Sequence, residues 1–338
     1  MEKGVGELSS AVTVRNLVKV YEGGVKALNG INLDVDQGSI FSLIGPNGAG
    51  KTTLMRILTT QFKPTSGEAY VFGLNVVKHG DQVRKLISYV PQEISVWTDV
   101  SGYENLLIYA KIYRLPSSER RKAVEEALEN MGLTEFRNSL VNTYSGGMIR
   151  RLEIASALMT KPKILFLDEP TIGLDPSARK AIWEKLISFK KDYGVTVFFN
   201  THYMDETEHY SDEVAIINRG AIVKSGTVKE LEQSLGGEVI HLNLNTSSLK
   251  GLLKRVRELN GVREVVFNDS EIMVIVNDAE TTLPSIMEAA RVEEVAVKRV
   301  SMTKPSLDDV FLKYAGAKLE SGGRVVEVKQ LRGAIKRG

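Results

Sequence analysis

Cysteine is absent from all 338 residues, which excludes disulfides, thiolate metal sites, iron–sulfur clusters and a catalytic thiol. The absence fits a reducing compartment. Long apolar runs are missing too, since no stretch approaches the roughly 18 to 20 uninterrupted apolar residues that a bilayer span requires. The best candidates, residues 164–167 and 195–199, have the length of strands, so any membrane role is expected to be peripheral. Nor is there an excess of either charge. Lys and Arg number 44 against 42 Asp and Glu, a formal net charge of +2, and so even a balance demands neither nucleic acid nor an acidic substrate. The start, MEKGVGELSSAVTV, has an acidic second residue and no apolar block. It does not read as a secretory signal, and an intracellular chain is expected.

What is present is organised. At about 100 to 200 residues per domain, the length predicts two domains. Residues 1–11 are expected to be a flexible start. From residue 12 to about 72, short β-branched runs are broken by Gly, Asn and Pro, the pattern of a strand-rich lobe. Between 93 and 143 the period turns helical, with Val124, Leu128 and Met131 recurring at i, i+4 and i+7. That stretch reads as a helical insert. The runs KILFLD and VTVFFN flank a helix expected over 177–191, the signature of parallel strands buried on both faces. Residues 12–232 therefore form one α/β unit. Over 237–316 the order becomes β-α-β-β-α-β, a ferredoxin-like plan, closed by a helix that Ser306 and Asp309 announce as a capping box and Gly316 stops. Residues 317–338 hold six Lys or Arg against two Glu and make a basic tail.

Three groups of residues carry chemistry. Gly45-Pro46-Asn47-Gly48-Ala49-Gly50-Lys51-Thr52 fits G-x-x-x-x-G-K-[ST] between a strand-like IFSLI and a helical TLMRIL. Glycines let successive backbone N–H groups turn around an anion, Lys51 reaches the β- and γ-phosphates, and the Thr52 hydroxyl can bind Mg²⁺. Asp168 and Glu169 end the apolar strand ILFLD at the sheet edge where open α/β folds bind ligands. Asp168 is assigned to Mg²⁺, and Glu169 to accepting a proton from an attacking water. Tyr144-Ser145-Gly146-Gly147-Met148 opens a third helix, IRRLEIASALM.

Together with Gln92 in YVPQE, Gly173-Leu174-Asp175-Pro176 and His202 in NTHYMDE, these motifs resemble an ATP-binding cassette (ABC) ATPase, over residues 12 to about 229. The resemblance implies a P-loop ABC fold and a head-to-tail homodimer. Each ATP would lie between the residues 45–53 of one subunit, Thr53 included, and Ser145, Gly146 and Gly147 of the other. It further implies that Gln92 contacts Mg²⁺ or water and couples the helical insert to the nucleotide. His202 would act as a γ-phosphate sensor, Asp175 would signal across the dimer, and Tyr21 would stack on adenine. Plainer readings stay open beside these: Ser145 as an N-cap, Asp175 as an Asp-Pro turn, Tyr21 as a packing residue, and His202 with Glu206 and His209 as a metal site on one helix face. Two departures from the family's usual signature are Tyr144 for Leu and Met148 for Gln.

The segment PSLDDVFLKYAG, with THYMDE and YSGGM, resembles the daunorubicin-resistance branch, whose ATPases power ABC-2-type exporters. The implied partner is a separate integral membrane permease docking near Gln92, where Trp97, Val100 and Tyr103 offer apolar contact. The implied location is the cytoplasmic face of the cell membrane. A ferredoxin-like domain can bind RNA through aromatic rings on its sheet, but these strands offer Phe267 alone, and no nucleic-acid partner is expected. The competing function is a soluble ABC ATPase acting on a cytosolic assembly. The cargo is not legible.

Overall fold

The computed structural model describes residues 10–244, 250–268 and 271–316. The basic tail and residues 1–9 therefore lie outside the described residues. Three sheets organise the rest. The first is antiparallel, in the order Lys26–Asp36, Ser10–Val20, Ser66–Val71, Leu74–Asn75. Its strand Ser10–Val20 begins inside the stretch expected to be flexible, because Ala11 is buried in the lobe's core. The second sheet runs Ala221–Gly226, Glu213–Asn218, Ile40–Ile44, Thr196–Thr201, Ile164–Asp168, Ile87–Val90 and is parallel apart from its first pair.

Alternation along the central strands sends side chains into a core on each face, and these strands are buried from end to end. Successive side chains point to opposite faces. Phe166 and Phe198 pack toward the antiparallel lobe with Leu54, Met55, Ile57 and Leu58 of the helix Lys51–Leu58. Leu165, Leu167 and Phe199 turn the other way, onto Trp183, Leu152 and the helical insert. That insert consists of helices Gly102–Ile112 and Ser117–Asn130 followed by two 3₁₀ turns ending at Thr143. Ser101 and Glu104 form a reciprocal capping box at its start. The helix Pro176–Tyr193 is nucleated by Asp175, whose carboxylate accepts from Ala178 N at 3.0 Å, and ends on left-handed Gly194.

The third sheet has the order Val262–Asn268, Glu271–Val276, Glu238–Leu244, Val297–Thr303, antiparallel throughout, with helices Lys250–Arg257 and Ala279–Val292 on one face. This is the ferredoxin-like arrangement. Its other face joins the cassette. Val239, Met273 and Ile275 share a core with Ile44, Met204, Val214 and Ile216, and the closing helix Leu307–Ala315 inserts Leu307, Val310, Phe311 and Leu312 between them. Ser306 and Asp309 form the capping box expected from their spacing. Sequence reading treats the last helix as part of the second domain; in space it belongs equally to the first. Among the described residues, no helix is long and apolar enough to cross a membrane.

Candidate functional site

The site is built at the carboxyl edge of the parallel sheet. Strand Ile40–Ile44 runs into the loop of residues 45–50, and the chain turns directly into helix Lys51–Leu58. The turn is possible only because two positions lack a side chain. A Cβ on Gly45 would lie 2.3 Å from the Ile217 carbonyl oxygen, and one on Gly50, at φ 110°, would lie 2.6 Å from that of Ala27. Asn47 and Gly48 are left exposed at the rim, while Ala49 is buried. Lys51 is buried, and its Nζ donates to the carbonyls of Gly45 and Pro46 at 2.6 and 3.2 Å. Burial pulls its pKa down, while Glu169 and Asp168 push it back up. The ammonium is thus held at the loop's mouth opposite two carboxylates.

Asp168 sits in a web of donors. Thr52 Oγ1 is 3.4 Å from Asp168 Oδ1, Asn200 Nδ2 donates to the same oxygen at 2.6 Å, and the Tyr89 hydroxyl donates to Oδ2 at 3.2 Å. Burial, with the Asp168 charge and hydrogen bond added, raises the Tyr89 phenol well above the ordinary tyrosine range, so it stays a donor. Glu169 adopts φ 48°, a left-handed conformation costly for a residue with a Cβ. Its N–H is fixed by Asn200 Oδ1 at 2.7 Å. His202, at the end of strand Thr196–Thr201, brings Nδ1 to 3.4 Å from Glu169 Oε1. Thr52, Lys51, Asp168, Glu169 and His202 therefore converge.

The remaining expected residues lie around this centre. The Tyr21 hydroxyl is 3.1 Å from Thr53 Oγ1 and its ring meets Phe62 edge-on, which puts an aromatic side chain beside the phosphate loop's helix. Gln92 is exposed just past strand Ile87–Val90, whose Val90 pairs with Leu167. Ser145 and Gly146 are exposed at the start of helix Gly146–Leu158, where Ser145 Oγ accepts from Met148 N at 3.3 Å. The unusual Tyr144 is buried, and its hydroxyl donates to the Phe136 carbonyl at 2.7 Å, tying the signature turn to the insert. Met148 packs on the same core. The alternative metal face does not assemble. Glu206 turns inward to Thr171 and to Thr201 Oγ1 at 3.1 Å, whereas exposed His209 bonds the Asp205 carbonyl.

Sequence reasoning weighed Glu206 only as a metal ligand and missed Tyr89, Asn200, Arg150 and Glu153. Tyr89 and Asn200 lie inside the quoted motifs, and their position one step from the sheet edge was the available signal. For the last two, the signal was an opposite-charge i, i+3 pair on the largely apolar helix IRRLEIASALM. His241, which stands in no motif, lies between Glu271 and Asp309 at 3.1 and 3.0 Å.

A phosphate loop, a strand-end carboxylate pair, a histidine after the next strand and a serine-glycine helix start define the nucleotide-binding unit of an ABC-type P-loop ATPase. The comparisons agree. The ABC transporter family profile matches residues 28–172, and that of the ATP-binding protein DrrA1-3-like C-terminal domain matches 226–315. The daunorubicin/doxorubicin resistance ATP-binding protein DrrA of Streptomyces peucetius is 36% identical over 90% of this chain and 92% of its own length. The linearmycin resistance ATP-binding protein LnrL of Bacillus subtilis is 34% identical over 90% and 98%. Among solved structures, cbiO1 of Clostridium perfringens, part of an ABC transporter complex, covers 66% of this chain and 90% of its own, with a TM-score of 0.62 at 31% identity. A dimeric ATP-binding cassette in a post-hydrolysis state with ADP and phosphate covers 64% and 98%, with a TM-score of 0.58 at 29% identity. The chain belongs to the ATP-binding subunits of ABC transporters, in the branch that carries a DrrA-like C-terminal domain. It is an ATPase whose hydrolysis serves transport.

Proposed function

We propose that two copies of this chain close head to tail on two ATP molecules and drive a separate membrane permease of the export type. The observation that carries this is the split of the site. Lys51, Thr52, Asp168, Glu169 and His202 gather at one sheet edge, while Ser145 and Gly146 stand exposed on a helix start of their own. A helix N-terminus offers free N–H groups and positive potential to an anion. The Ser145-Gly146-Gly147 turn therefore suits the γ-phosphate held by a second subunit, with Asp175 close to that interface.

The residues fit a magnesium nucleotide. Thr52 and Asp168 offer oxygen ligands only, the donor type that Mg²⁺ takes, and Gln92 stands near the same edge. Bound Mg²⁺ would neutralise charge on the phosphates. The chain's own groups do the rest. The loop's N–H groups and Lys51 orient the phosphates, Glu169 accepts a proton from the attacking water, and His202 holds the Glu169 carboxylate and senses the terminal phosphate. Tyr21 supplies the ring for adenine.

Closure is useful because ATP binds one dimer geometry better than the other, and hydrolysis removes that preference. The permease would receive the motion at the exposed segment after Gln92, where Trp97 is 45% accessible and packs its ring 5.3 Å from Tyr109. On this reading the subunit lies peripherally on the cytoplasmic face of the membrane. Trp97→Ala with Tyr103→Ala should abolish co-purification of an integral protein from membranes while leaving ATP binding intact. An unchanged eluate would remove the docking assignment. A eluate with ribosomes or DNA in place of an integral protein would favour a cytosolic assembly as target.

A further inference from the structure

Helix Gly146–Leu158 carries two buried charged side chains that the nucleotide chemistry leaves unused, Arg150 and Glu153. A buried ion pair persists only when its other donors and acceptors are met. Here they are met by loops. Arg150 Nη1 donates to Glu153 Oε2 at 3.0 Å and to the Pro91 carbonyl at 2.7 Å. Its Nε donates to the Pro170 carbonyl at 2.8 Å, and its Nη2 to those of Asp168 and Glu169 at 2.8 and 3.2 Å. The second Glu153 oxygen accepts from Ser95 N and Oγ at 2.6 and 2.9 Å.

Three pieces of machinery thus meet on one guanidinium and one carboxylate. They are the helix that starts at Ser145, the strand end bearing Asp168 and Glu169, and the segment of residues 91–95 that contains Gln92. Glu169 is also the residue whose backbone sits at φ 48°. Its N–H is pinned by Asn200 and its carbonyl by Arg150. A planar guanidinium fork transmits orientation as well as charge, so a small rotation of the helix re-aims the peptide that sets the Glu169 carboxylate.

We propose that Arg150 and Glu153 are positioning residues that make each subunit's Glu169 answer to the nucleotide gripped by that subunit's own Ser145 corner, and that pass the same displacement to residues 91–95. This rests on the sandwich dimer proposed above. In that dimer the corner's nucleotide sits on the partner's phosphate loop, so the pair couples the two ATP sites crosswise and couples both to the permease-facing segment.

The test uses the full chain. Arg150→Lys keeps a cation beside Glu153 but lacks the fork that spans both loops. Arg150→Met with Glu153→Leu removes both buried charges at once and so avoids stranding either. For each, kcat, KM, the Hill coefficient for ATP and the melting temperature are measured, together with ATP-driven dimerisation in a Glu169→Gln background. The expected result is a kcat lowered by about 10²-fold, the scale of an angstrom of misplacement, with KM nearly unchanged, the Hill coefficient reduced to one, and dimerisation retained. Cooperative turnover at the wild-type rate in either variant would overturn the proposal. So would a loss of rate that merely tracks a loss of folded protein in the melts. If Glu169→Gln alone does not dimerise with ATP, the sandwich itself falls and takes the coupling with it. If it dimerises and the Arg150 variants stay cooperative, the coupling alone falls.

Discussion

Glu206 shows how far a single buried carboxyl can shape the site. It is 3% exposed and bonded to Thr171 Oγ1 and Thr201 Oγ1, one residue past Pro170 and one before His202. Burial raises its pKa, against the opposing pull of those hydrogen bonds. A carboxyl whose folded pKa lies above its unfolded value contributes stability that is complete below the unfolded value and is lost as pH rises through the folded one. The window therefore opens above 4.5 and runs upward. Glu206→Gln, which keeps the shape and gains a permanent amide, should flatten the rise of melting temperature on acidification toward pH 5 and melt no lower than wild type at neutral pH. Thermal melts from pH 5 to 8 check this. A Glu206→Gln protein that melts well below wild type at pH 7 would mean that the ionised form is the one the fold uses.

At the scale of elements, the closing helix Leu307–Ala315 is the piece whose importance exceeds its length. It lays Phe311, 1% exposed, into a core shared with Met204 and Ile216, and Asn218 Nδ2 donates to the carbonyls of Tyr314 and Ala315 at 3.4 and 3.3 Å. Leu307 N also donates to Glu208 Oε1 at 3.3 Å, on the helix Met204–Tyr210 that follows His202. Phe311→Ala should destabilise the chain by about 3 to 5 kcal/mol, the usual range for a buried ring, read as a lower denaturant midpoint. A change below about 1 kcal/mol would show that the helix is held by its ends. Much of this architecture was legible beforehand. The helical period placed the insert's helices, the β-branched and apolar runs placed the strands, and the Ser306–Asp309 spacing announced the cap. The runs KILFLD and VTVFFN were readable as doubly buried because apolar residues follow one another without polar alternation over residues 164–167 and 197–199. The shared core was not legible, because an amphipathic helix shows its apolar face without naming the surface that covers it. Nor were Tyr89, Asn200 and Arg150, whose roles arise from sheet neighbours far apart in the chain.

At the scale of the whole molecule, the fold is a frame that carries the phosphate loop with its carboxylates on one edge and the Ser145 helix start on another, which the proposed dimer makes two halves of a nucleotide site. The parallel sheet fixes Lys51 and the carboxylates, the insert anchors the signature turn through Tyr144, and Arg150 runs between them. Such a frame is economical only if a second copy completes each half, and the drug-resistance relatives matched over nine-tenths of the chain are ATP-binding proteins of the same extent. Replacing Glu169 by Gln should slow hydrolysis by about 10² to 10⁴ while leaving phosphate binding intact, since the proposed proton acceptor is lost and Lys51 and the loop are untouched. The most direct measurement is accordingly the structure of Glu169→Gln saturated with magnesium ATP. The account predicts a two-fold dimer in which Ser145 Oγ and the Gly147 N–H of one subunit lie within hydrogen-bond distance of the γ-phosphate seated on Lys51 of the other. An assembly that holds ATP on Lys51 while every Ser145 faces bulk solvent would contradict it.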